Sequence, residues 1–157
     1  MSPQNPLKPV KDMAPLETRL EAARELAHHP RIRVFDLESR LGTHYSRDTV
    51  IGLKRIFPHT RFVWMMGADN LRQIRHWWRW PDIFCALPIA VFARPSYCLG
   101  ALAELPAQRF ARHRLPAAAA RRLAETKPPA WIFLPIKLDP HSATLIRARH
   151  RAHSQSR

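Results

Sequence analysis

Cysteine is scarce in this chain: there are only Cys85 and Cys98, without the C-x-x-C spacing of a metal or redox site. A pair of this kind in an intracellular protein reads as two buried thiols rather than a bridge. Long apolar runs are missing too. No stretch reaches the ~18 residues of a membrane span, and the best candidate, 83–93, is cut by Pro88. No hydrophobic core follows Met1-Ser2-Pro3, so the start does not read as a signal peptide. The chain reads as soluble and cytoplasmic. Acidic residues are few, 12 Asp+Glu against 26 Lys+Arg, for a formal charge of +14. That balance favours anionic partners, either phosphate-bearing small molecules or nucleic acid. No run of like charge is long enough to be a nucleic-acid arm. Much of the excess is Arg scattered over 109–122 and in a basic end (Arg147, Arg149, Arg151, Arg157), which a solvated helix face and tail would also explain. Nucleophile constellations are absent as well: there is no G-x-S-x-G, no H-E-x-x-H and no Cys with an obvious base. An enzyme built from this sequence works by positioning and charge, not through a covalent intermediate.

What the chain does have is centred on 61–83, RFVWMMGADNLRQIRHWWRWPDI. Phe62 to Met66 has the length and β-rich make-up of a buried strand, and it breaks at Gly67. Asp69 or Asn70 then reads as the cap of a helix that ends in Trp77, Trp78 and Trp80. In open α/β sheets ligands sit beyond the carboxyl ends of the strands, so the turn 67–70 is where one is expected. A strand, a Gly turn, a carboxylate and a tryptophan cluster suggest a pocket for an aromatic base. On a helix Trp77 and Trp80 share a face and serve equally as core, whereas Trp78 points some 100° away and cannot share that burial fully, so one of the three is expected to be exposed or half exposed.

Around that stretch, 1–11 holds three prolines and is an extended surface segment. Leu16, Leu20, Ala23 and Leu26 or Ala27 recur at helical spacing within 15–29. Residues 31–37 alternate Ile32, Val34 and Phe35, which predicts a strand ended by Gly42. Ser46 is the expected N-cap of a helix with Val50, Leu53 and Phe57 on one face, stopped by Pro58. Residues 87–93 form a second apolar strand that delivers Arg94 to its end. The stretch 96–116 reads as loop with a short helix near 107–113, 115–125 as an Ala-rich helix, 131–134 as a strand, and Ser142 as the N-cap of a last helix. Strands alternating with helices, without internal repeats, argue for one domain over 1–157, with 150–157 a basic tail, built on a doubly wound parallel α/β sheet.

On that architecture the polar residues gather at strand ends: Ser46, Asp48 and Thr49 after one strand, Gly67 and Asp69 after the next, Arg94 after a third, Ser142 and Thr144 after the last. Helix N-termini on one rim would offer free N–H groups to a phosphate. Each residue also has a plainer explanation, since Asp69 and Ser142 serve equally well as helix caps. His150 and His153 lie in the basic tail and read as solvated.

Taken together, HYSRDT, MMGADNLRQIRHWWRWPDIF, PIAVFARPSY and SATLIRAR, with SPQNPLK near the start, resemble the bacterial nicotinate-nucleotide adenylyltransferases over essentially the whole chain. The resemblance implies a Rossmann-like parallel sheet of the nucleotidyltransferase type. It also implies transfer of AMP from ATP, with Mg²⁺, to nicotinate mononucleotide, giving deamido-NAD and pyrophosphate. By position it places Trp77 on the nicotinate ring and the backbone at Trp78 and Ser46 on its carboxylate. Gly67 and Asp69 line the nucleotide crevice, Thr49 and Arg94 complete the substrate-binding set, and Lys8, Ser142, Thr144 and Arg147 receive ATP phosphates. Neither a membrane nor nucleic acid is an implied partner, and a homo-oligomer is left open. A non-catalytic basic module binding nucleotides or nucleic acid is the alternative from charge alone. This sequence departs from the family at Leu7, Ser46, His141 and Trp78, and it contains no G-x-F-x-P-x-H-x-G-H segment. Met1 stands where the family is already at the end of its second strand. The expectation is therefore an N-terminally incomplete chain, with a reading frame started late preferred over a truncated relative that binds little or nothing, and with impaired activity, no identifiable catalytic residue and unpaired strand edges.

Overall fold

The computed structural model describes residues 14–95 and 100–136. In chain order its elements are α1 (Leu16–Leu26), α2 (Leu37–Leu41), α3 (Ser46–Ile56), β1 (Trp64–Gly67), α4 (Ala68–Gln73), α5 (Trp80–Ala86), β2 (Ile89–Phe92), α6 (Leu105–Arg109), β3 (Arg114–Leu115) and β4 (Trp131–Leu134). Single 3-10 turns lie at Ile74–His76, Gly100–Ala103 and Ala111–His113, and a longer 3-10 stretch runs over Ala117–Glu125. The elements fall into two compact units. The first comprises the described part of Met1–Arg61 with His76–Ala86, and the second Phe62–Arg75 with the described part of Leu87–Arg157.

The second unit is a four-stranded, all-parallel sheet in the order β1-β2-β4-β3. Its inner strands read as continuous apolar runs because both of their faces are covered: Ile89, Ala90 and Val91 are all buried, as are Trp131, Ile132 and Phe133. Each fully buried aliphatic of this kind contributes roughly 1.5–3 kcal/mol. Ala90, Ile132 and Leu123 form a cluster that Val63, Phe92, Leu115 and Leu134 pack against. The indole of Trp131 also donates to the Phe110 carbonyl at 2.8 Å, so this large ring is buried with its polar atom satisfied. The Arg114 guanidinium lies 5.6 Å from the centre of the same ring.

The first unit is helical. α3 packs on α5, with Val50 on one side and Ile83 and Phe84 on the other almost wholly excluded from water. Trp80 meets Phe84 edge to face at 5.9 Å. Lys54 donates to the Ala86 carbonyl at 2.6 Å, closing the C-terminal end of α5 with a cation as the helix dipole favours. α2 ends at Gly42, whose φ of 61° is the left-handed C-cap conformation that glycine adopts without strain.

The parallel α/β class, the strands at 87–93 and 131–134, and the helices from 16 and 46 stand as expected. The strand expected over 62–66 forms at Trp64–Gly67, but as the edge of the sheet it is not buried throughout, and Met65 is exposed. Other expectations do not hold. Residues 32–36 form no strand: the Ile32 amide bonds back to the His29 carbonyl in a turn, and Ile32 and Phe35 are exposed, so the alternation has no buried face to serve. The 117–125 segment follows Pro116 as 3-10 rather than α-helix and buries only Leu123. β3 is two residues long, too short for periodicity to reveal. Cys85 is an exposed free thiol rather than a buried one, and Cys98 lies outside the described residues. Among the described residues no helix is long and apolar enough to cross a membrane.

Candidate active site

In the second unit the site is built at strand ends. Gly67 closes β1 and pairs in register with Phe92, the last residue of β2. Two residues further on in each segment stand Asp69 and Arg94, and their side chains meet in front of Gly67. A Cβ at Gly67 would come within 2.8 Å of Arg94 Nε and closer still to Asp69 Oδ1. The φ of Gly67 is −79°, which any residue adopts, so space and not backbone conformation requires glycine here. Asp69 Oδ1 is shielded from water without a hydrogen bond. It faces Arg94 Nε at 3.6 Å, within ion-pair reach but beyond hydrogen-bond length. A carboxylate oxygen closed off in this way is short of a donor. Neither Asp69 nor Asn70 caps α4, as the sequence suggests they would; Gly67 holds the N-cap position, with an extended backbone and no side-chain bond, and Asp69 sits inside the first turn. Glu104 braces α4 from within the same unit, pairing with Arg72 at 3.1 Å and Arg75 at 3.4 Å.

In the first unit Ser46 opens α3, but the N-cap is Tyr45, again without a side-chain cap. The Tyr45 carbonyl accepts from the amides of Asp48 and Thr49, which leaves the Ser46 hydroxyl out of the capping role expected of it. Thr49 is buried, and its hydroxyl lies 2.7 Å from that of Thr43 and 3.3 Å from the Tyr45 carbonyl. It fixes the Thr43–Tyr45 loop. The three tryptophans do not ride one helix. The chain leaves the 3-10 turn at His76, bends through Trp77 to Arg79, and restarts as α5 at Trp80. The bend is made by Arg79 at a φ of 47°, a left-handed conformation that nothing in an arginine advertises. Trp80 is therefore core, Trp77 half-buried, and Trp78 is 58% exposed, as expected for one member of the cluster. Trp78 stands 5.9 Å from the Tyr45 ring, tilted by 36°.

An ion network supports this turn. Asp82 Oδ2 accepts from Arg79 Nε at 2.9 Å and from Arg47 Nε at 3.1 Å, while Arg47 Nη1 donates to Asp48 Oδ1 at 2.9 Å. The hydrogen bond to Asp48, followed by that to Asp82, raises the guanidinium pKa of Arg47 above its already high ordinary value. Tyr45, Arg47, Arg79 and Asp82 are absent from the sequence-derived set. The Arg79–Asp82 spacing of three was a legible hint; the Tyr45–Trp78 contact was not. Lys8, Ser142, Thr144 and Arg147 lie outside the described residues. Among the described residues no group of three or more His, Cys, Asp or Glu side chains is placed to hold a metal ion.

A parallel sheet with a glycine and an ion pair at adjacent strand ends is the setting for nucleotide chemistry, and residues 1–149 match the family model described as cytidylyltransferase-like. A Cereibacter sphaeroides protein named "Probable nicotinate-nucleotide adenylyltransferase" is 46% identical over 151 residues, covering 96% of this chain and 80% of the relative. Proteins of the same name from Ruegeria sp. TM1040 and Gluconobacter oxydans are 40% and 46% identical. They cover 95% and 94% of this chain and 78% and 75% of their own lengths. The chain belongs to the cytidylyltransferase-like family, within the group formed by these nicotinate-nucleotide adenylyltransferases.

Proposed function

We propose that this protein transfers AMP from ATP to nicotinate mononucleotide, in the cytoplasm, as a step of NAD biosynthesis. An oxygen of the mononucleotide phosphate attacks the α-phosphorus of ATP. A new P–O bond forms, the bond to the β-phosphate oxygen breaks, and pyrophosphate leaves with its electron pair. The attacking oxygen is already anionic, so no general base is needed. Catalysis reduces to in-line positioning and neutralisation of crowded negative charge, for which the excess of Lys and Arg is suited. Mg²⁺ enters as the MgATP complex.

The observation that carries this reading is Gly67 at the end of β1, kept free of a side chain beneath Asp69 and Arg94. The missing Cβ lets the Asp69 carboxylate and the Arg94 guanidinium close together over the end of β1, and the half-exposed Arg94 offers a cation to a phosphate there. On this reading Trp77 stacks on the nicotinate ring, with the backbone of Trp78 and Ser46 on the ring carboxylate. Thr49 supports that segment from beneath. Lys8, Ser142, Thr144 and Arg147 receive the ATP phosphates.

Titration calorimetry on the full chain tests it. Nicotinate mononucleotide should bind more tightly than nicotinamide mononucleotide, and Trp77→Ala should abolish that binding while ATP binding survives. If neither mononucleotide binds, and wild type and Trp77→Ala hold RNA with the same salt dependence, the chain is a basic nucleic-acid-binding module instead.

A further inference from the structure

Asp82 sits in the first turn of α5, where an acidic side chain usually faces the free amides of its own helix. Here it is turned elsewhere. Its Oδ2 is shared by Arg79 Nε at 2.9 Å and Arg47 Nε at 3.1 Å. Those two arginines come from the two segments of the first unit that carry candidate residues. Arg79 closes the Trp77–Trp78 turn with a left-handed backbone, which a non-glycine residue holds only when its surroundings enforce it. Arg47 follows Tyr45 and Ser46, and its other donor is fixed on Asp48 in the same turn of α3. Within the turn itself the Asp82 amide donates to the Arg79 carbonyl at 3.0 Å and the Trp80 amide to the Trp77 carbonyl at 3.2 Å, which fixes Asp82 relative to the tryptophans; the tie to the other segment is made by side chains. It is repeated in the rings, where Trp78 meets Tyr45 at 5.9 Å. Asp82 and Arg47 are 31% and 27% exposed, sheltered enough that salt screens them less than an open surface pair.

We propose that Asp82 is a positioning residue for the aromatic mononucleotide: through Arg47 and Arg79 it holds the Trp77–Trp78 turn against the Tyr45–Ser46 segment. The inference rests on the proposed function, because the turn matters to the reaction only if these tryptophans receive the nicotinate ring. Asp82 touches no substrate. Its effect is to keep a half-exposed aromatic pair from sampling other orientations before the ligand arrives, so that binding orders little.

Asp82→Asn retains the shape and removes the charge that gathers two guanidinium groups. In the full-length chain the indole N–H resonances of Trp77 and Trp78 should shift or broaden, while those of Trp64 and Trp131 in the sheet unit stay in place. Affinity for nicotinate mononucleotide should fall about tenfold, the scale of a lost charge-assisted contact, with ATP affinity unchanged. The double variant Arg47→Ala/Asp82→Asn should bind no more weakly than the weaker single variant, since both cut one network. Unmoved Trp77 and Trp78 signals overturn the proposal. So does a loss shared equally by both substrates with all five indoles displaced, which marks a general folding role. Trp77→Ala separates the two readings. If it loses the mononucleotide while Asp82→Asn keeps it, the positioning role alone falls; if it too keeps the mononucleotide, the ring-stacking assignment falls and the positioning role with it.

Discussion

The two units set their candidate residues by different physical means. In the sheet unit the parallel ladder does the placing: Gly67 stands opposite Phe92 in fixed register, and Asp69 and Arg94 follow two residues later on each segment. Both segments leave strands that are hydrogen-bonded into the sheet, β1 to β2 and β2 to the buried β4. In the helical unit no ladder exists among the described residues, and the Tyr45–Ser46 segment and the Trp77–Arg79 turn are held by side chains: a threonine pair, an aromatic contact and three guanidinium–carboxylate bonds. The sheet unit should therefore tolerate little change in its core but lose its site selectively through one glycine. The helical unit should lose its site through charges that leave its core intact.

The largest effect that would test this contrast lies in the sheet. Trp131→Ala empties a buried site and orphans the Phe110 carbonyl, and should cost about 3–5 kcal/mol. A thermal melt should show the midpoint falling by roughly 10 °C or more. A smaller shift would mean that the sheet is not the rigid member of the pair.

Gly67→Ala comes next and splits stability from binding. The added Cβ meets Asp69 Oδ1 and both Nε and Cγ of Arg94, so the two side chains must turn away together, while the backbone angle suits alanine. Stability should change by less than about 1 kcal/mol, whereas ATP affinity should drop roughly tenfold or more as both charged groups leave their places. Calorimetry beside a melting curve separates the two; a destabilised variant that binds ATP normally would break the argument.

The smallest effect concerns Asp36, whose hydrogen bond from Arg40 at 2.9 Å holds its carboxyl below the ordinary carboxylate value. A lowered folded pKa means that the contribution is present above the unfolded value and fades as pH falls through the folded one. Asp36→Asn should thus flatten the acid limb of stability slightly as pH falls from neutral to below the ordinary carboxylate value, with no change at neutral pH in the affinity for either substrate. Melts across that range measure it, and a change in mononucleotide affinity would place Asp36 in the supporting network instead.

How legible each unit was follows from the same difference. Strands buried on both faces announce themselves as apolar runs, so Ile89–Phe92 and Trp131–Leu134 can be read directly, whereas Trp64–Gly67 is equally apolar in sequence yet stands at the sheet edge with Met65 exposed. Alternation at 31–37 misled because nothing pairs with it there, and β3 is too brief for any period. The helical unit's site was half legible. Its tryptophans are evident in the sequence at helical spacing, but the turn at Arg79 breaks that period through a backbone angle that composition does not signal. Neither expected cap at Ser46 or Asp69 forms, because Tyr45 and Gly67 hold those positions through extended backbone. The family assignment survived all of this, since it rested on motif order along the chain.

The chain crosses from one unit to the other at 61/62, at 75/76 and again at 86/87. Neither unit is a continuous stretch, so neither can be cut out as a gene fragment, and a break at residue 61 would strip the helical unit of α5 and of the tryptophan turn. The crossing also orders assembly. β1 and β2 can meet only after the intervening 21 residues, α5 among them, have been gathered into a loop, so the first parallel pairing of the sheet carries the entropy of that closure. Whatever holds α5 on α3, the Lys54 bond to the Ala86 carbonyl included, shortens the span that the sheet must close.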